Sequence, residues 1–189
     1  METVTTQNQT TATTTSTWTI DASHSSATFT VRHMMVTNVR GEFQKLSGTA
    51  TFDPARPENG KIEATIDVAS INTRDEKRDA HLRSADFFDV EKHPSITFAS
   101  RTIRRAKNGL EVVGDLTIHG TKREVVLEVE GPTPEHKDPW GSVRVGASAT
   151  TKIKRSEFGM TWNAALEAGG VLVGDEVKIH LELELIKQK

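Results

Sequence analysis

The chain has 189 residues, of which 35% are hydrophobic and 26% charged, and its formal net charge at pH 7 is −2. This length suits one domain with a sizeable core. The near-balanced charge gives no electrostatic reason to expect binding to nucleic acid or to an anionic membrane surface. Cysteine is absent, which excludes disulfides, thiolate catalysis and metal sites built on cysteine.

The N-terminal residues 1–17 contain nine threonines and no lysine or arginine. So polar a segment buries too little apolar surface to offset its ordering entropy, so we predict a disordered tail over 1–17 and one domain over 18–189. A secretory signal needs a basic start and an apolar run of about 7–15 residues, and residues 1–17 contain neither, so we expect no such signal there. No segment approaches the ~20 apolar residues of a membrane span, so we expect no stable membrane insertion.

The rest of the chain alternates apolar and polar residues with a period of two, which predicts antiparallel strands with one buried face. The last strand is the clearest example, because Val177, Ile179 and Leu181 alternate with Lys178, His180 and Glu182. A bulge is expected near residues 44–45, where the register of the alternation changes. The predicted strands are 18–21, 27–33, 39–52, 62–68, 95–103, 110–118, 122–130, 141–154 and 175–186.

Two connections differ from the strands. Residues 73–85 are rich in charged residues and alanine, and Thr73-x-x-Glu76 has the form of a capping box, so we predict a helical insertion near residues 74–84. Phe87 and Phe88 follow it and should pack against the domain. The long connection 156–174 carries several large apolar residues, which favours a lid.

About eight strands in up-and-down order, with one helical insertion, predict an all-β, eight-stranded antiparallel barrel. The interior of such a barrel is either filled by its own side chains or holds one small ligand. The inward positions are mostly Val, Ile, Leu, Ala and Phe. From the residues alone, a solid core and an apolar tunnel both remain open.

Five blocks of the sequence, in order along the chain, resemble the YceI-like family of lipid-binding proteins over residues 18–187. The block around the predicted helix is the most distinctive, and no single block would suffice. The blocks are Trp18-Thr-Ile-Asp21 with Phe29-x-Val31-x-His33, Val39-Arg-Gly41-Glu-Phe43, Ile71-Asn-Thr73 through Phe87-Phe88-Asp89-Val90 and His93-Pro94-x-Ile96-x-Phe98, Gly114-Asp-Leu116-Thr117-Ile118-His119-Gly120-Thr121, and Arg155-Ser156-x-Phe158-Gly159.

This resemblance implies an extended, lipocalin-like barrel that holds a polyisoprenoid, such as a prenyl quinone or a prenyl phosphate precursor, in an internal tunnel. Many relatives carry a secretion signal and are periplasmic, whereas the threonine-rich start of this chain favours a cytoplasmic protein. His33 and Arg155 are candidate head-group contacts. The predicted tunnel lining is Phe29, Val31, Phe43, Ile66, Val68, Phe98, Leu116, Ile118, Leu127, Val145, Val177, Ile179 and Leu181, with Phe158, Met160 and Trp162 at the mouth.

The sequence gives little support for catalysis or metal binding. The seven histidines show no i, i+2 or i, i+4 pair, so no metal site is predicted, and neither are a cofactor or catalytic residues. Ser23 and His24 are adjacent and would point to opposite sides of an extended strand.

The leading hypothesis is therefore non-catalytic binding, storage or transport of a polyisoprenoid or similar long-chain lipid. One alternative is an enzyme acting on a lipid head group through His24, His33, His81 or Arg155. Another is a stress-response structural module with a filled barrel, acting through its surface. The outward apolar residues Trp140 and Ile186 leave room for a homodimer.

Overall fold

The computed structural model of the protein describes residues 15–189. Residues 1–14 of the predicted disordered tail lie outside the described residues. The first strand begins at Ser16, two residues before the predicted start of the domain. Within the described part of the chain, no helix is long and apolar enough to cross a membrane.

The described residues form twelve strands and one short α-helix, and most strands follow the alternation seen in the sequence. The prediction of one strand over 39–52 with a bulge is wrong, because residues 44–45 separate two strands, Thr37–Phe43 and Leu46–Asp53, which pair with different neighbours. Short 3-10 turns occupy Val68–Ser70 and Arg155–Phe158. The elements are β1 (Ser16–Ile20), β2 (Ser26–His33), β3 (Thr37–Phe43), β4 (Leu46–Asp53), β5 (Arg56–Asp67), β6 (Ile71–Asn72), α1 (Glu76–Arg83), β7 (Ser95–Ala106), β8 (Gly109–Ile118), β9 (Thr121–Glu130), β10 (His136–Lys137), β11 (Val143–Lys154) and β12 (Val173–Lys187).

Eight strands form a closed antiparallel barrel in the order β1, β4, β5, β7, β8, β9, β11 and β12, which confirms the predicted fold class. Strand β12 closes the ring. One side of β12 pairs with β11 from Arg144↔Ile186 to Lys154↔Glu176. Its other side pairs with β1 near the C-terminus and with β2 nearer the start of the strand. Strands β2, β3 and β6 extend the wall beyond this ring.

The two ends of the barrel are built differently. At the end that we call the base, Trp18 is completely buried and its ring stacks on Phe52 with the centroids 5.3 Å apart. Val145 and Leu185 belong to the same apolar cluster and pack the base. At the opposite end, the mouth, the barrel is covered by segments that are mostly not strands: α1 with its connection to β7, and residues 156–172.

The helix is two residues shorter at its start than predicted, and the predicted capping box is wrong. Asp75 is the N-cap residue, and its side chain accepts a hydrogen bond from the backbone N–H of Arg78. Arg74 takes a left-handed conformation with φ of 63° and turns the chain just before the cap. Thr73 therefore lies outside the helix, where its hydroxyl donates to the buried carboxylate of Asp79.

A polar cluster fixes the bend between β1 and β2. Arg144 on β11 donates hydrogen bonds to Asp21, Asp138 and Glu184. Hydrogen bonds from Ser23, His24 and Arg144 hold the pKa of the Asp21 carboxyl far below its usual range. The pKa of His24 is raised, first by its hydrogen bond with Asp21 and then by the negative charges of Asp21 and Glu184.

We expect His24 to make stability depend on pH near neutrality. The pKa of His24 in the folded protein lies above its unfolded value of about 6.5. The stabilisation that protonated His24 contributes is therefore complete below about pH 6.5. It is lost as the pH rises through the folded pKa. The effect should be small, since the His24 side chain is 60% exposed. Urea unfolding of the protein and of His24→Gln between pH 5.5 and 8.5 measures it. Equal slopes of unfolding free energy against pH in the two proteins would contradict the assignment.

A long apolar cavity inside the barrel

The barrel interior contains a cavity of about 250 Å³. On the same measure one water molecule needs only about 10–15 Å³, so the cavity is far larger than a packing defect. Its wall is formed by 40 residues, which reach from Pro57 and Pro132 near the base to Phe87 and Arg155 at the mouth. A small volume bounded by so many residues is long and narrow, which suits a chain-like ligand better than a compact one.

The inward side chains of β12 show that the interior is hollow. Val177, Ile179, Leu181 and Leu183 all face the cavity, yet each is only half-buried, whereas Leu185 in the base is buried. Inward residues of a filled barrel would be covered by the opposite wall. Apart from three threonines and Arg155, the side chains on the wall are apolar. The alternative of a barrel filled by its own side chains therefore does not fit the structure.

Glycines allow two aromatic rings to lie along the wall. A Cβ atom at Gly41, which is opposite Phe29 in the β2–β3 pair, would be 2.4 Å from the Phe29 ring. A Cβ atom at Gly114 would be 2.5 Å from the ring of Phe98. Both distances are too short for any real side chain, so the two rings occupy space that only glycine leaves open. Phe29 and Phe98 consequently line the bore instead of filling it.

The structure places twelve of the sixteen predicted lining residues on the cavity wall, namely Phe29, Val31, Phe43, Ile66, Phe98, Leu116, Ile118, Leu127, Met160, Val177, Ile179 and Leu181. Contact between these residues and a ligand stays a prediction. The other four do not form part of the wall. Val145 is covered within the cluster of the base, and Val68 and Phe158 are buried in the cluster nearer the mouth. Trp162 packs instead against His81 and Phe87.

Several wall residues were missed at the sequence level. Ala147, Ala149 and Thr151 on β11 face the cavity, and their period of two within a predicted strand was a usable signal. Their small side chains also help to keep the bore open. Leu82 and Phe87 reach the cavity from the helix and its following turn. Nothing in the local sequence shows where that turn docks, because its position depends on contacts with distant strands.

Aromatic rings make up much of the mouth. The Phe43 ring meets the Phe88 ring edge-on with centroids 5.8 Å apart. The ring centroids of Phe87 and Trp162 are 5.3 Å apart, and those of His81 and Trp162 are 4.7 Å apart. Segment 156–172 thus meets the turn after α1 through ring contacts, in agreement with its predicted role as a lid.

Among the residues that the structure describes, Arg155 is the one charged side chain on the cavity wall, and it is 6% exposed. Its guanidinium donates hydrogen bonds to the carbonyl oxygens of Met160 (2.7 Å), Trp162 (2.8 Å), Gly174 (2.9 Å) and Val173 (3.2 Å). Burial lowers the pKa of Arg155, although the charge of Asp175 opposes the shift. Arg155 therefore fastens both ends of the lid segment.

His33 is placed differently from Arg155. It is half-buried at the end of β2, where it pairs with Thr37 in the β2–β3 hairpin and with Val173 on β12. It does not belong to the cavity wall. Next to it, Met34, Met35 and Val36 form an exposed apolar turn. A head-group contact for His33 would thus have to lie outside the bore, at the rim of the mouth.

These features define a closed antiparallel barrel with an elongated apolar cavity. The sequence profile of the YceI-like domain matches residues 18–185, so the chain belongs to the YceI-like family. It is 38% identical to a UPF0312 protein of Staphylococcus aureus over 167 residues, which is 88% of this chain and 95% of the relative.

Solved structures show the same fold. BcnA of Burkholderia cenocepacia matches with a TM-score of 0.74 and 29% identity, covering 87% of this chain and 98% of BcnA. A polyisoprenoid-binding domain from Saccharophagus degradans matches with a TM-score of 0.65, covering 90% of this chain and 98% of that domain. Since its identity is only 16%, the second likeness extends to the fold alone.

Replacing Arg155 should strongly destabilise the protein. Arg155→Ala removes four charge-assisted hydrogen bonds, including those to the carbonyls of Met160 and Trp162, so we expect a loss of at least about 3 kcal/mol in unfolding free energy. Arg155→Lys should recover only part of it, because a point-like ammonium cannot reach four carbonyls. Urea unfolding measures both variants. Arg101→Ala, which removes ion pairs of an exposed arginine with Asp115 and Glu124, is the control and should cost less than about 1 kcal/mol. A similar small loss for Arg155→Ala would contradict this role.

Proposed function

We propose that this protein binds a polyisoprenoid or a similar long-chain lipid inside the barrel and stores or carries it without catalysis. The observation that carries the proposal is the long, narrow and almost wholly apolar cavity from base to mouth. Such a cavity has few hydrogen-bonding groups with which to orient a polar molecule. It matches a ligand that is long, flexible, thin and apolar over most of its length.

The hydrophobic effect supplies ample binding energy for such a ligand. Burying one CH₂ group is worth about 0.8 kcal/mol, so each five-carbon isoprene unit contributes roughly 4 kcal/mol. A few units would exceed the affinity of any real complex, and the surplus is consumed by ordering the chain and by association entropy. Specific polar contacts are therefore unnecessary for tight binding. Selectivity would arise from the length and width of the bore.

A polar head group, where the ligand has one, should lie at the mouth. Arg155 is the charged residue of the wall and is found at that end, while the base is closed by the apolar Trp18 cluster. The guanidinium already donates to four carbonyls, so its contribution to the ligand would be its charge more than new hydrogen bonds. This arrangement favours a chain that enters tail first.

The geometry around Ser23 gives no support to a hydrolytic reaction. In a nucleophilic relay, the histidine contacts the serine with one ring nitrogen and the acid with the other. Here the Nδ1 atom of His24 faces both Ser23 Oγ, at 3.1 Å, and Asp21 Oδ2, at 2.9 Å. Ser23 Oγ itself donates to Asp21. The three residues form a compact cap on the β1–β2 bend, and none of them belongs to the cavity wall.

The direct test is extraction of the purified protein with organic solvent after heating, followed by mass spectrometry. We expect a long-chain apolar molecule in about equimolar amount, or saturable binding when a prenyl quinone is added to protein freed of lipid. Failure to recover any lipid together with failure to bind the added quinone would refute the proposal. The control for carried-over lipid is an equal volume of extract from cells that lack the protein, taken through the same purification, heating and extraction.

A plug in the bore should abolish binding without unfolding the protein. Ala64 on β5 faces the cavity, whereas the next residue, Thr65, is exposed on the outer face. Ala64→Phe places a ring in the bore and should reduce affinity for a prenyl quinone at least tenfold. Thr65→Phe adds the same ring to the outside and should leave affinity unchanged. Fluorescence-monitored titration measures the affinity of both variants for the quinone, and circular dichroism verifies that both variants are folded. Equal affinities would show that the ligand binds elsewhere.

A further inference from the structure

Two histidines and one aspartate from distant parts of the sequence meet beside the mouth. Asp89 and His93 lie in the connection between α1 and β7, and His119 lies in the turn between β8 and β9. One potential ligand atom from each of the three residues lies within 4.8 Å of the others. The centroids of the two imidazole rings are 4.8 Å apart, and the rings meet edge-on. All three side chains are partly buried, so they remain accessible to an ion from solution.

The hydrogen bond of His119 prepares the ring for a metal ion. Its Nδ1 atom lies 3.2 Å from the carbonyl oxygen of Phe158. A carbonyl oxygen only accepts hydrogen bonds, so Nδ1 must carry the proton and the neutral ring keeps the lone pair on Nε2. Metal-bound histidines in proteins characteristically donate their second ring N–H to a carbonyl or carboxylate in this way.

The backbone leaves space for the two rings at close quarters. Gly120 has φ of +72°, and a Cβ atom at this position would lie 2.6 Å from Cε1 of His93. Gly159, with φ of +77°, comes within ordinary contact of His119 only because it lacks a side chain, since a Cβ atom there would lie 3.2 Å from Nδ1. The pair of imidazoles therefore depends on glycine on both sides.

We propose that Asp89, His93 and His119 bind a divalent transition-metal ion of the zinc type. Two imidazoles and a carboxylate are three of the four ligands of a tetrahedral zinc site, and a water molecule would be the fourth. Calcium and magnesium prefer oxygen ligands throughout, so they fit this donor set poorly. Bonds of about 2.0–2.2 Å require the three ligand atoms to close to roughly 3.5 Å of one another, a small adjustment for side chains.

The ion would connect three segments around the mouth. It would join the α1–β7 connection to the β8–β9 turn, and the hydrogen bond of His119 extends this link to Phe158 in the turn after β11. Lys92 modulates the site, because its ammonium lies 3.1 Å from Oδ2 of Asp89 while its side chain is 75% exposed. A bound divalent ion would compete with this ammonium for the carboxylate.

Titration of the metal-free, full-length protein with Zn²⁺ by isothermal calorimetry tests the site. We expect one ion per chain, and a rise in Tm of about 5 °C or more at a hundredfold excess over Kd. His93→Gln and His119→Gln should each weaken binding at least about tenfold. The control is His24→Gln, which should leave binding unchanged, because His24, Asp21 and Glu184 are the other group of three potential ligands among the described residues.

Lys92→Gln separates a metal site from a merely structural cluster. Removing the competing charge should tighten Zn²⁺ binding about two- to fivefold, whereas ring packing alone predicts no change. Should a histidine variant fail to fold, NMR of the wild-type histidine rings decides, because only the signals of His93 and His119 should shift with one equivalent of Zn²⁺. Binding weaker than about 100 µM, binding that survives in His93→Gln and His119→Gln, or unchanged or weaker binding in Lys92→Gln would each overturn the proposal. None of these outcomes depends on whether the barrel binds lipid.

Discussion

The register of β12 is the constraint on which the rest of the structure depends. This strand pairs with β11 along one side and with β1 and β2 along the other, so it joins the first and last strands of the ring. Successive side chains of a strand face opposite sides, and a slip of one residue would turn Lys178 and Glu182 into the bore. Closure of the barrel and the apolar character of the cavity are thus set by the same pairing.

A hollow interior is costly for a protein, and its cost suggests how the cavity is used. Side chains along a void lose dispersion contacts that a packed core would provide. The base avoids this loss, because Trp18 and Phe52 stack and fill it, while Ala64, Ala147 and Ala149 leave the middle open. A bound hydrocarbon chain would restore the missing contacts. The ligand-bound protein should accordingly be the more stable form, by linkage between binding and folding.

Much of the wall could be predicted from the sequence, because alternation identifies the inward face of each strand. Alternation does not tell how far away the opposite wall lies, so it could not distinguish the cavity-lining Val177 from the covered Val145. The lid illustrates a second limit. Trp162 is apolar and lies near the mouth, but its ring packs on His81 instead of facing the bore. The meeting of His93 and His119 has no signal in sequence spacing, since the barrel itself brings their two turns together.

Entry of the proposed chain-like ligand would require the mouth to open, and the contacts that close the mouth differ in kind. Arg155 fastens the backbone of segment 160–174 through four charge-assisted hydrogen bonds. Arg83 fastens α1 to the carbonyls of Ala69 and Ile71. Between these two anchored units, Phe87 and Trp162 meet through their rings, and such a pair is worth about 0.5–1.5 kcal/mol beyond its burial. The ring of His81 also contacts Trp162 across this seam, and each charge-assisted hydrogen bond of the anchors contributes about 1.5–3 kcal/mol. A lid that opened along this seam would leave both anchored units intact.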